Sequence, residues 1–245
     1  MRSEPKIIFL DAVGTLFGVR GSVGEAYAKI ASEFEVEVVA RDINKAFIQS
    51  FITAPRMAFP EVEASEIPKQ EYQWWKAIAV QTFTQTDSIQ KFQDFEQFFQ
   101  RLYAYFAGAD PWFVYEDVLP ALTNWQGQGI EMGIISNFDS RIYPVLKALD
   151  LERFFTSFTI STEVGAAKPD VKIFRHGLTK YARIEGENSS FQHQIWHIGD
   201  SFTEDYQGAI AAGLNAFWLD RDRTKTHPTP EGKSITSLKD LVFPA

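Results

Sequence analysis

Five polar side chains stand where their chemistry can be combined. Asp11 and Asp200 each come directly after a short apolar run, and Asp205 lies five residues beyond Asp200. Ser136 closes another apolar run, and Lys168 precedes a proline. Carboxylate oxygens suit Mg²⁺, while an ammonium and a hydroxyl can bind the oxygens of a phosphoryl group. One carboxylate can then attack phosphorus to form an aspartyl-phosphate, so the set is coherent for phosphoryl transfer.

Five apolar runs predict the strands that bring these side chains together. They cover residues 7–10, 130–135, 158–160, 195–198 and 216–219. Continuous apolar runs are typical of strands buried on both faces. Helical patterns separate the later runs, with Asp170 and Thr203 as predicted caps. The alternation predicts an α/β fold with a doubly wound, Rossmann-like parallel sheet. Ligands bind at the carboxyl ends of such strands, so the polar side chains should meet in one crevice.

A long insert follows the first strand. Residues 18–109 show no convincing strand and several amphipathic patterns. Four helix starts are predicted, at Ser22, Asp42, Pro68 and Ser88. The aromatic stripe from Phe92 to Phe106 is expected to pack inside the insert. The chain is therefore predicted to have a catalytic core, residues 1–17 and 110–245, and a helical cap, residues 18–109.

Composition narrows the class of protein. The chain has 245 residues, no cysteine and a formal net charge of −8. The missing cysteines exclude disulfides, thiolate metal sites and a cysteine nucleophile. The negative charge argues against a nucleic-acid surface. No stretch approaches the roughly 20 apolar residues of a membrane span, and no targeting signal is apparent. We therefore expect a cytoplasmic protein with a small-molecule substrate and neither nucleic acid nor membrane as partner.

The four motifs, in their order, resemble those of the haloacid dehalogenase-like (HAD) hydrolase superfamily. The segment F-L-D-A-V-G-T-L-F resembles its first motif, I-I-S-N its second, Lys168-Pro169 its third and I-G-D-S-F-T-E-D its fourth. The resemblance covers nearly the whole chain, and the insert sits where subfamily I places its helical, C1-type cap. The D-x-V-G-T-L signature, with Trp74-Trp75 and I-S-N-F-D-S-R, is similar to a poorly characterised branch of that subfamily.

The resemblance also implies roles for individual residues. Asp11 would be the nucleophile, with Lys168 as its catalytic partner. The phosphoryl group of a small phosphorylated substrate would be bound by Thr15, Ser136, Asn137 and Lys168. A Mg²⁺ cofactor would be ligated by Asp11, the Val13 carbonyl and Asp200. Asp205 would be a further ligand or would support the site.

Val13 departs from the family pattern. Most phosphatases of the superfamily have a second aspartate two residues after the nucleophile, which protonates the leaving group and activates water. Valine offers only its main-chain carbonyl. Since general acid–base catalysis contributes about 10²–10⁴-fold, the substitution predicts a slow phosphatase, one restricted to good leaving groups, or a proton supplied from the cap.

Two alternatives follow from this departure. D-A-x-G-T-L-F resembles the start of the metal-independent 2-haloacid dehalogenases, where halide leaves without a proton. Those enzymes lack the Gly-Asp of the fourth motif, and Gly199-Asp200 is retained here. The other alternative is a HAD-fold binding or regulatory protein with weakened catalysis.

Other polar and aromatic residues have structural interpretations. Asp139 is interpreted as a helix cap, and residues 220–223 as a solvated turn after the last strand. Trp74 and Trp75 cannot share one helix face, so one is expected in the core and the other is a candidate for facing the substrate. Three histidines, His176, His193 and His197, show no ligand spacing and are interpreted as structural or exposed.

Overall fold

A six-stranded parallel sheet forms the centre of the computed structural model, which describes residues 4–181, 194–223, 227 and 229–243. The strands are β1 (Ile7–Leu10), β2 (Phe17–Val19), β3 (Trp112–Val114), β4 (Glu131–Ser136), β5 (Ser157–Ile160), β6 (Ile195–Gly199), β7 (Asn215–Leu219) and β8 (Ser234–Ile235). The main sheet has the order β5-β4-β1-β6-β7-β8, and β2 pairs antiparallel with β3 outside it. All five predicted strands are present within one residue of their expected ends.

Helices surround the sheet. They are α1 (Val23–Ser32), α2 (Ala40–Thr53), α3 (Ile67–Gln85), α4 (Phe95–Tyr105), α5 (Val118–Gly127), α6 (Ile142–Ala148), α7 (Ser161–Val164), α8 (Val171–Thr179) and α9 (Gly208–Ala211), with a π-helix at Phe202–Gln207. Within the described ranges, each helix is too short or too polar to cross a bilayer.

Alternate residues of β1 serve two different cores. Ile8 and Leu10 pack with Leu122 of α5 on one face, whereas Ile7 and Phe9 pack with Phe174 of α8 on the other. The chain winds from β1 through β4 to β5 in one direction and from β6 through β7 to β8 in the other. The sheet is therefore doubly wound, as predicted, and the order reverses beside the carboxyl end of β1.

The four helices α1–α4 share a third apolar core. Tyr27 and Phe83 pack in it against the aromatic stripe of α4 and its flanks, which confirms that the stripe is internal. The Ser22 hydroxyl accepts from the Glu25 amide at 3.1 Å and caps α1, as predicted. We call residues 23–105 the helical segment.

Three predicted helix starts are wrong. Helix α2 begins at Ala40, before Asp42, and α4 begins at Phe95 with Asp94 as its cap, because Ser88 instead bonds back to the Phe83 carbonyl. The π-helix is capped by Ser201, which accepts from the Glu204 amide, rather than by Thr203. Strand β2 also extends into the stretch expected to contain none, because it pairs with β3.

Candidate active site

The carboxyl ends of β1, β4 and β6 bring the predicted polar residues together. Asp11 follows β1, and its amide donates to the Ile198 carbonyl of β6 at 3.0 Å. Ser136 ends β4, and its hydroxyl donates to Asp11 Oδ1 at 3.0 Å. Asp11 is buried although it carries a carboxylate. A buried carboxylate requires compensating partners, so the surroundings of Asp11 indicate a built site.

Lys168 supplies that compensation. Its Nζ lies 2.5 Å from Asp11 Oδ1 and 2.6 Å from Asp205 Oδ1, and the residue is 1% exposed. Burial alone would lower the lysine pKa, but the two carboxylates raise it above its usual value. Burial raises the pKa of Asp11, and Lys168 opposes that shift. Lys168 therefore remains cationic beside the carboxylate that it holds.

Asp205 is occupied on both oxygens. Oδ1 accepts from Lys168 and lies 2.9 Å from His197 Nε2, and Oδ2 accepts from the Ser201 amide at 3.0 Å. Burial would raise the Asp205 pKa, but Lys168 and His197 hold it below its usual range. Burial lowers the pKa of His197, so the neutral ring donates from Nε2. Asp205 is thus an ionised anchor for Lys168.

The carboxylates of Asp11, Asp200 and Asp205 form a cluster. One oxygen from each lies within 4.8 Å of the others. Three hard oxygen donors at this spacing fit a divalent cation such as Mg²⁺. Gly14 allows the approach, because its φ is +89° and a Cβ there would lie 2.6 Å from the Asp200 carboxyl carbon. Glycine at this position thus lets the loop after Asp11 lie against Asp200.

The other predicted phosphate ligands lie near the site with different contacts. Asn137 binds the main chain of Lys168, donating to its carbonyl at 3.1 Å and accepting from its amide at 2.7 Å. It also donates to half-buried Glu204, whose pKa is raised by burial. Thr15 is buried, and within the described part of the chain its hydroxyl has no hydrogen-bond partner. Val13 is half-buried, two residues after Asp11.

The turn after β7 is not simply solvated, so that prediction is wrong for Asp220, which is buried, and for Arg221, which is half-buried. The contacts of Arg221 show why. Its Nη2 donates to the Thr15 carbonyl at 2.6 Å and its Nε donates to the Gly14 carbonyl at 3.2 Å. Nη1 binds both oxygens of Asp117 at 2.9 and 3.0 Å. The guanidinium also lies over the Tyr115 ring. Arg221 therefore holds the loop that follows Asp11.

Asp139 lies at the start of α6, where its Oδ1 accepts from the Arg141 amide at 2.9 Å, and it also has contacts beyond this capping bond. Asp139 accepts from Arg141 Nε at 2.9 Å and Nη2 at 2.6 Å, and from Trp75 Nε1 at 2.6 Å. Trp74 donates to the Pro55 carbonyl, and both tryptophans are half-buried. Neither tryptophan is fully buried, so the expectation of one core tryptophan is wrong, although Trp75 packs against the apolar core of the helical segment.

Glu71 of α3 is a second link from the helical segment to the core. Oε1 accepts from the Ser140 amide at 3.0 Å and the Thr162 hydroxyl at 2.6 Å. Oε2 accepts from the Ser140 hydroxyl at 2.5 Å. Burial raises the pKa of Glu71, and these hydrogen bonds oppose the shift. Glu71 and Trp75 thus tie α3 to the residues that follow β4 and β5.

The histidines divide by position. His176 is exposed and His197 is buried against Asp205, in agreement with structural or exposed roles. His193 lies outside the described residues.

Known proteins match the chain over most of its length. Residues 5–213 match the family model for haloacid dehalogenase-like hydrolases. The chain belongs to this family. The mouse and bovine proteins named haloacid dehalogenase-like hydrolase domain-containing protein 3 are 31% and 30% identical to it over 245 residues, or 98% of this chain and 94% of each relative.

Solved structures with 18% identity share the fold of this HAD-like hydrolase. A dehalogenase has a TM-score of 0.66, covering 98% of this chain and 96% of its own. The HAD phosphatase from Thermococcus onnurineus has a TM-score of 0.60, covering 96% and 95%. The putative HAD-hydrolase YfnB from Bacillus subtilis, described as bound to magnesium, has a TM-score of 0.63 and covers 97% of each chain. Phosphatases and dehalogenases thus both occur among the neighbours.

Proposed function

We propose that this HAD-like hydrolase is a Mg²⁺-dependent phosphatase that acts on a small phosphorylated metabolite through an aspartyl-phosphate at Asp11. The observation that carries the proposal is the convergence of Asp11, Asp200 and Asp205 beside the Lys168 ammonium. A metal-independent dehalogenase would need no carboxylate cluster next to its nucleophile. The fourth-motif carboxylates therefore favour phosphoryl transfer.

Each residue has a role that follows from its contacts. The Asp11 carboxylate attacks phosphorus, and the bond from phosphorus to the leaving oxygen breaks as the new bond forms. Lys168 and Ser136, which both contact Asp11 Oδ1, hold that oxygen and donate toward the incoming phosphoryl oxygens. Water then attacks the aspartyl-phosphate, releasing inorganic phosphate and free Asp11.

Asp11 and Asp200 would hold the metal, together with the Val13 carbonyl. Asp205 is better suited to supporting Lys168, since both its oxygens already have partners. When bound, Mg²⁺ would neutralise charge on the phosphoryl oxygens. The magnesium-bound neighbour YfnB supports this choice of metal.

A second candidate is a 2-haloacid dehalogenase, and Val13 favours it. Halide leaves without a proton, so an enzyme lacking a second aspartate loses nothing in that reaction. The dehalogenase among the structural neighbours is in keeping with this alternative. In that case, Asp11 would form an ester with carbon, and chelating agents would not affect turnover.

A substrate screen separates the two candidates. Purified protein is assayed against phosphate monoesters and 2-haloacids, each with Mg²⁺ and with EDTA, and Asp11→Asn is the control. Phosphate release that requires both Mg²⁺ and Asp11 supports the phosphatase. Halide release that persists in EDTA would replace it with the dehalogenase.

Two further assignments belong to the proposal. The helical segment would act as a C1-type cap, of the kind found in subfamily I, within the boundaries 18–109. The protein would work in the cytoplasm. Limited proteolysis near residues 18 and 109 tests the first assignment, and cell fractionation tests the second.

A further inference from the structure

An apolar cavity of about 280 Å³ lies between the helical segment and the core. Val13, two residues beyond Asp11, forms part of its wall. Asn137, which follows the Asp11-bonded Ser136, forms another part. The cavity therefore adjoins the place where a leaving group would depart from phosphorus. A volume of this size is close to the lower end for small-molecule sites.

Aromatic rings dominate the cavity wall. Each helix of the helical segment contributes at least one, including Tyr27 of α1, Phe47 of α2, Trp75 of α3 and Phe99 of α4. Trp112 of β3 adds another from the core side. Such rings offer stacking and dispersion but few hydrogen bonds. A sugar, with a hydroxyl on nearly every carbon, would find too few replacement partners here, since the Tyr27 and Tyr103 hydroxyls and Asn137 are the main polar groups of the wall besides Arg141.

Arg141 is the single charged residue among the described residues that line the cavity. Its guanidinium already has partners within the protein. Nε and Nη2 donate to Asp139, and Nη1 lies 3.5 Å from the Tyr103 carbonyl. The guanidinium also stacks on Tyr103, with its carbon 3.9 Å from the ring centre. The cavity thus has no uncommitted cation for a second carboxylate or phosphate on the substrate.

Val13 also favours an aromatic leaving group, for a separate reason. It cannot protonate a departing oxygen, so the leaving group must depart as an anion. A phenolic oxygen has a pKa of about 10, whereas that of water is about 15.7 and alkyl alcohols are comparable. Aryl esters therefore match both the missing acid and the aromatic wall.

We propose that this cavity holds the leaving group of a monophosphate ester of an uncharged phenol or naphthol, with one or two fused rings. This inference rests on the proposed phosphatase function. The bond from phosphorus to the aryl oxygen breaks with both electrons going to that oxygen, as Asp11 bonds to phosphorus. The phenolate then takes its proton from water.

Four esters separate ring binding from leaving-group chemistry. Phenyl and 1-naphthyl phosphate should be the best substrates. Benzyl phosphate keeps the ring but has an alkyl leaving oxygen, so it should bind as a competitive inhibitor of phenyl phosphate hydrolysis but have a much lower kcat/KM as a substrate. Since each brings polar groups into an apolar wall, 4-carboxyphenyl phosphate should show a kcat/KM about tenfold or more below that of phenyl phosphate, and a hexose 6-phosphate one about tenfold or more below that of benzyl phosphate, which shares its alkyl leaving oxygen.

A binding measurement does not depend on turnover. Phe47 lines the cavity, and Phe34 belongs to the same apolar core of the helical segment without lining it. 1-Naphthol should quench tryptophan fluorescence of the Mg²⁺-loaded wild type through Trp75 and Trp112. Phe47→Gln should weaken that binding by about tenfold, as expected for a lost buried ring contact, and Phe34→Gln should not. Thermal melting is the control that both variants fold.

The outcomes distinguish the two claims. Preference for the uncharged aryl esters together with the Phe47-specific loss supports the inference. Hydrolysis of the hexose phosphate as fast as 1-naphthyl phosphate, or equal naphthol binding by both variants, overturns the inference and leaves the phosphatase standing. Naphthol binding that depends on Phe47, without hydrolysis of any ester, instead overturns the phosphatase and the cavity's role in ester hydrolysis.

Discussion

Lys168 Nζ lies 2.5 Å from Oδ1 of Asp11, at the point where the sheet order reverses. The contact joins two side chains that are 157 residues apart in sequence. Both side chains are buried, so water cannot take the place of either partner. The Asp11 carboxylate and the Lys168 ammonium are therefore one electrostatic unit, and Asp205 completes it with a second contact to the ammonium, at 2.6 Å.

Removing the ammonium should destabilise the protein as well as inactivate it. Lys168→Met leaves Asp11 and Asp205 buried without a counter-charge, which we expect to cost about 3–5 kcal/mol of unfolding free energy at neutral pH. The deficit should shrink at lower pH, as the carboxylates take up protons. Urea unfolding at two pH values measures this. Lys172→Met, at an exposed position, is the control. An equal, small loss in both variants would contradict the account.

Arg221 should be required for positioning the nucleophile loop. Arg221→Met removes the donors to the Gly14 and Thr15 carbonyls. We expect activity to fall by about 10²-fold, because a displacement of about 1 Å at a nucleophile has that effect. KM should change less than kcat, since Arg221 acts through the loop. Arg223→Met, in the same turn and exposed, should retain wild-type kinetics. Identical kinetics for Arg221→Met would remove this role.

Glu71 should make stability depend on pH. Burial raises its pKa above the usual 4.5, so its stabilising contribution is complete below about pH 4.5 and is lost as the pH rises through the folded-state pKa. Gln can keep the contacts to Ser140 and Thr162 without a charge. The unfolding free energy of Glu71→Gln minus that of wild type should therefore increase as pH rises, by at most about 1.4 kcal/mol per pH unit.

Glu71→Ala provides the contrast for that prediction. It leaves the Ser140 amide and Thr162 hydroxyl without their acceptor, which we expect to cost about 1–3 kcal/mol relative to Glu71→Gln at every pH. Chemical denaturation from pH 4.5 to 7.5 distinguishes the variants. Parallel pH profiles for wild type and Glu71→Gln would show that Glu71 does not titrate differently on folding.

The sequence was sufficient for the parts of the fold that depend on local pattern. Continuous apolar runs located β1 and β4 to β7 because strands buried on both faces leave no alternation. The strand-end rule then placed Asp11, Ser136 and Asp200 near one another. The same rule, applied after β7, indicates Arg221 as a residue near the site. Its charged neighbours instead favoured the interpretation of a solvated turn.

Contacts between distant segments could not be predicted. The partnership of Asp139 with Trp75 joins residues 64 apart, and nothing in either local pattern specifies it. Short β2 and β3 stabilise each other only as a pair, so neither has a strand signature alone. Ser88 has the composition of a helix cap but is satisfied by the Phe83 carbonyl, a contact that depends on the end of α3.

Val13 should limit reaction with poor leaving groups. Val13→Asp supplies a carboxylate at the position of the missing acid, so we expect alkyl phosphates to react about tenfold faster or more. Aryl phosphates should gain less in kcat/KM, which reports formation of the aspartyl-phosphate, because their leaving groups need no proton. Values of kcat/KM across a series of leaving-group pKa values measure the change in slope. An equally steep slope in wild type and variant would show that Val13 is not the limiting position. Thermal melting controls for the added buried charge.

The central claim is that Asp11 carries the phosphoryl group, and rapid-quench labelling tests it most directly. Because Val13 cannot activate water, breakdown of the aspartyl-phosphate should be slow, and the intermediate should accumulate. Wild-type protein is mixed with Mg²⁺ and ³²P-labelled phenyl phosphate, quenched in acid, and the labelled peptide is mapped. We predict a burst of acid-stable, hydroxylamine-sensitive label on the peptide containing Asp11, absent from Asp11→Asn. Steady phosphate release without protein-bound label, or label that persists in Asp11→Asn, would contradict the account.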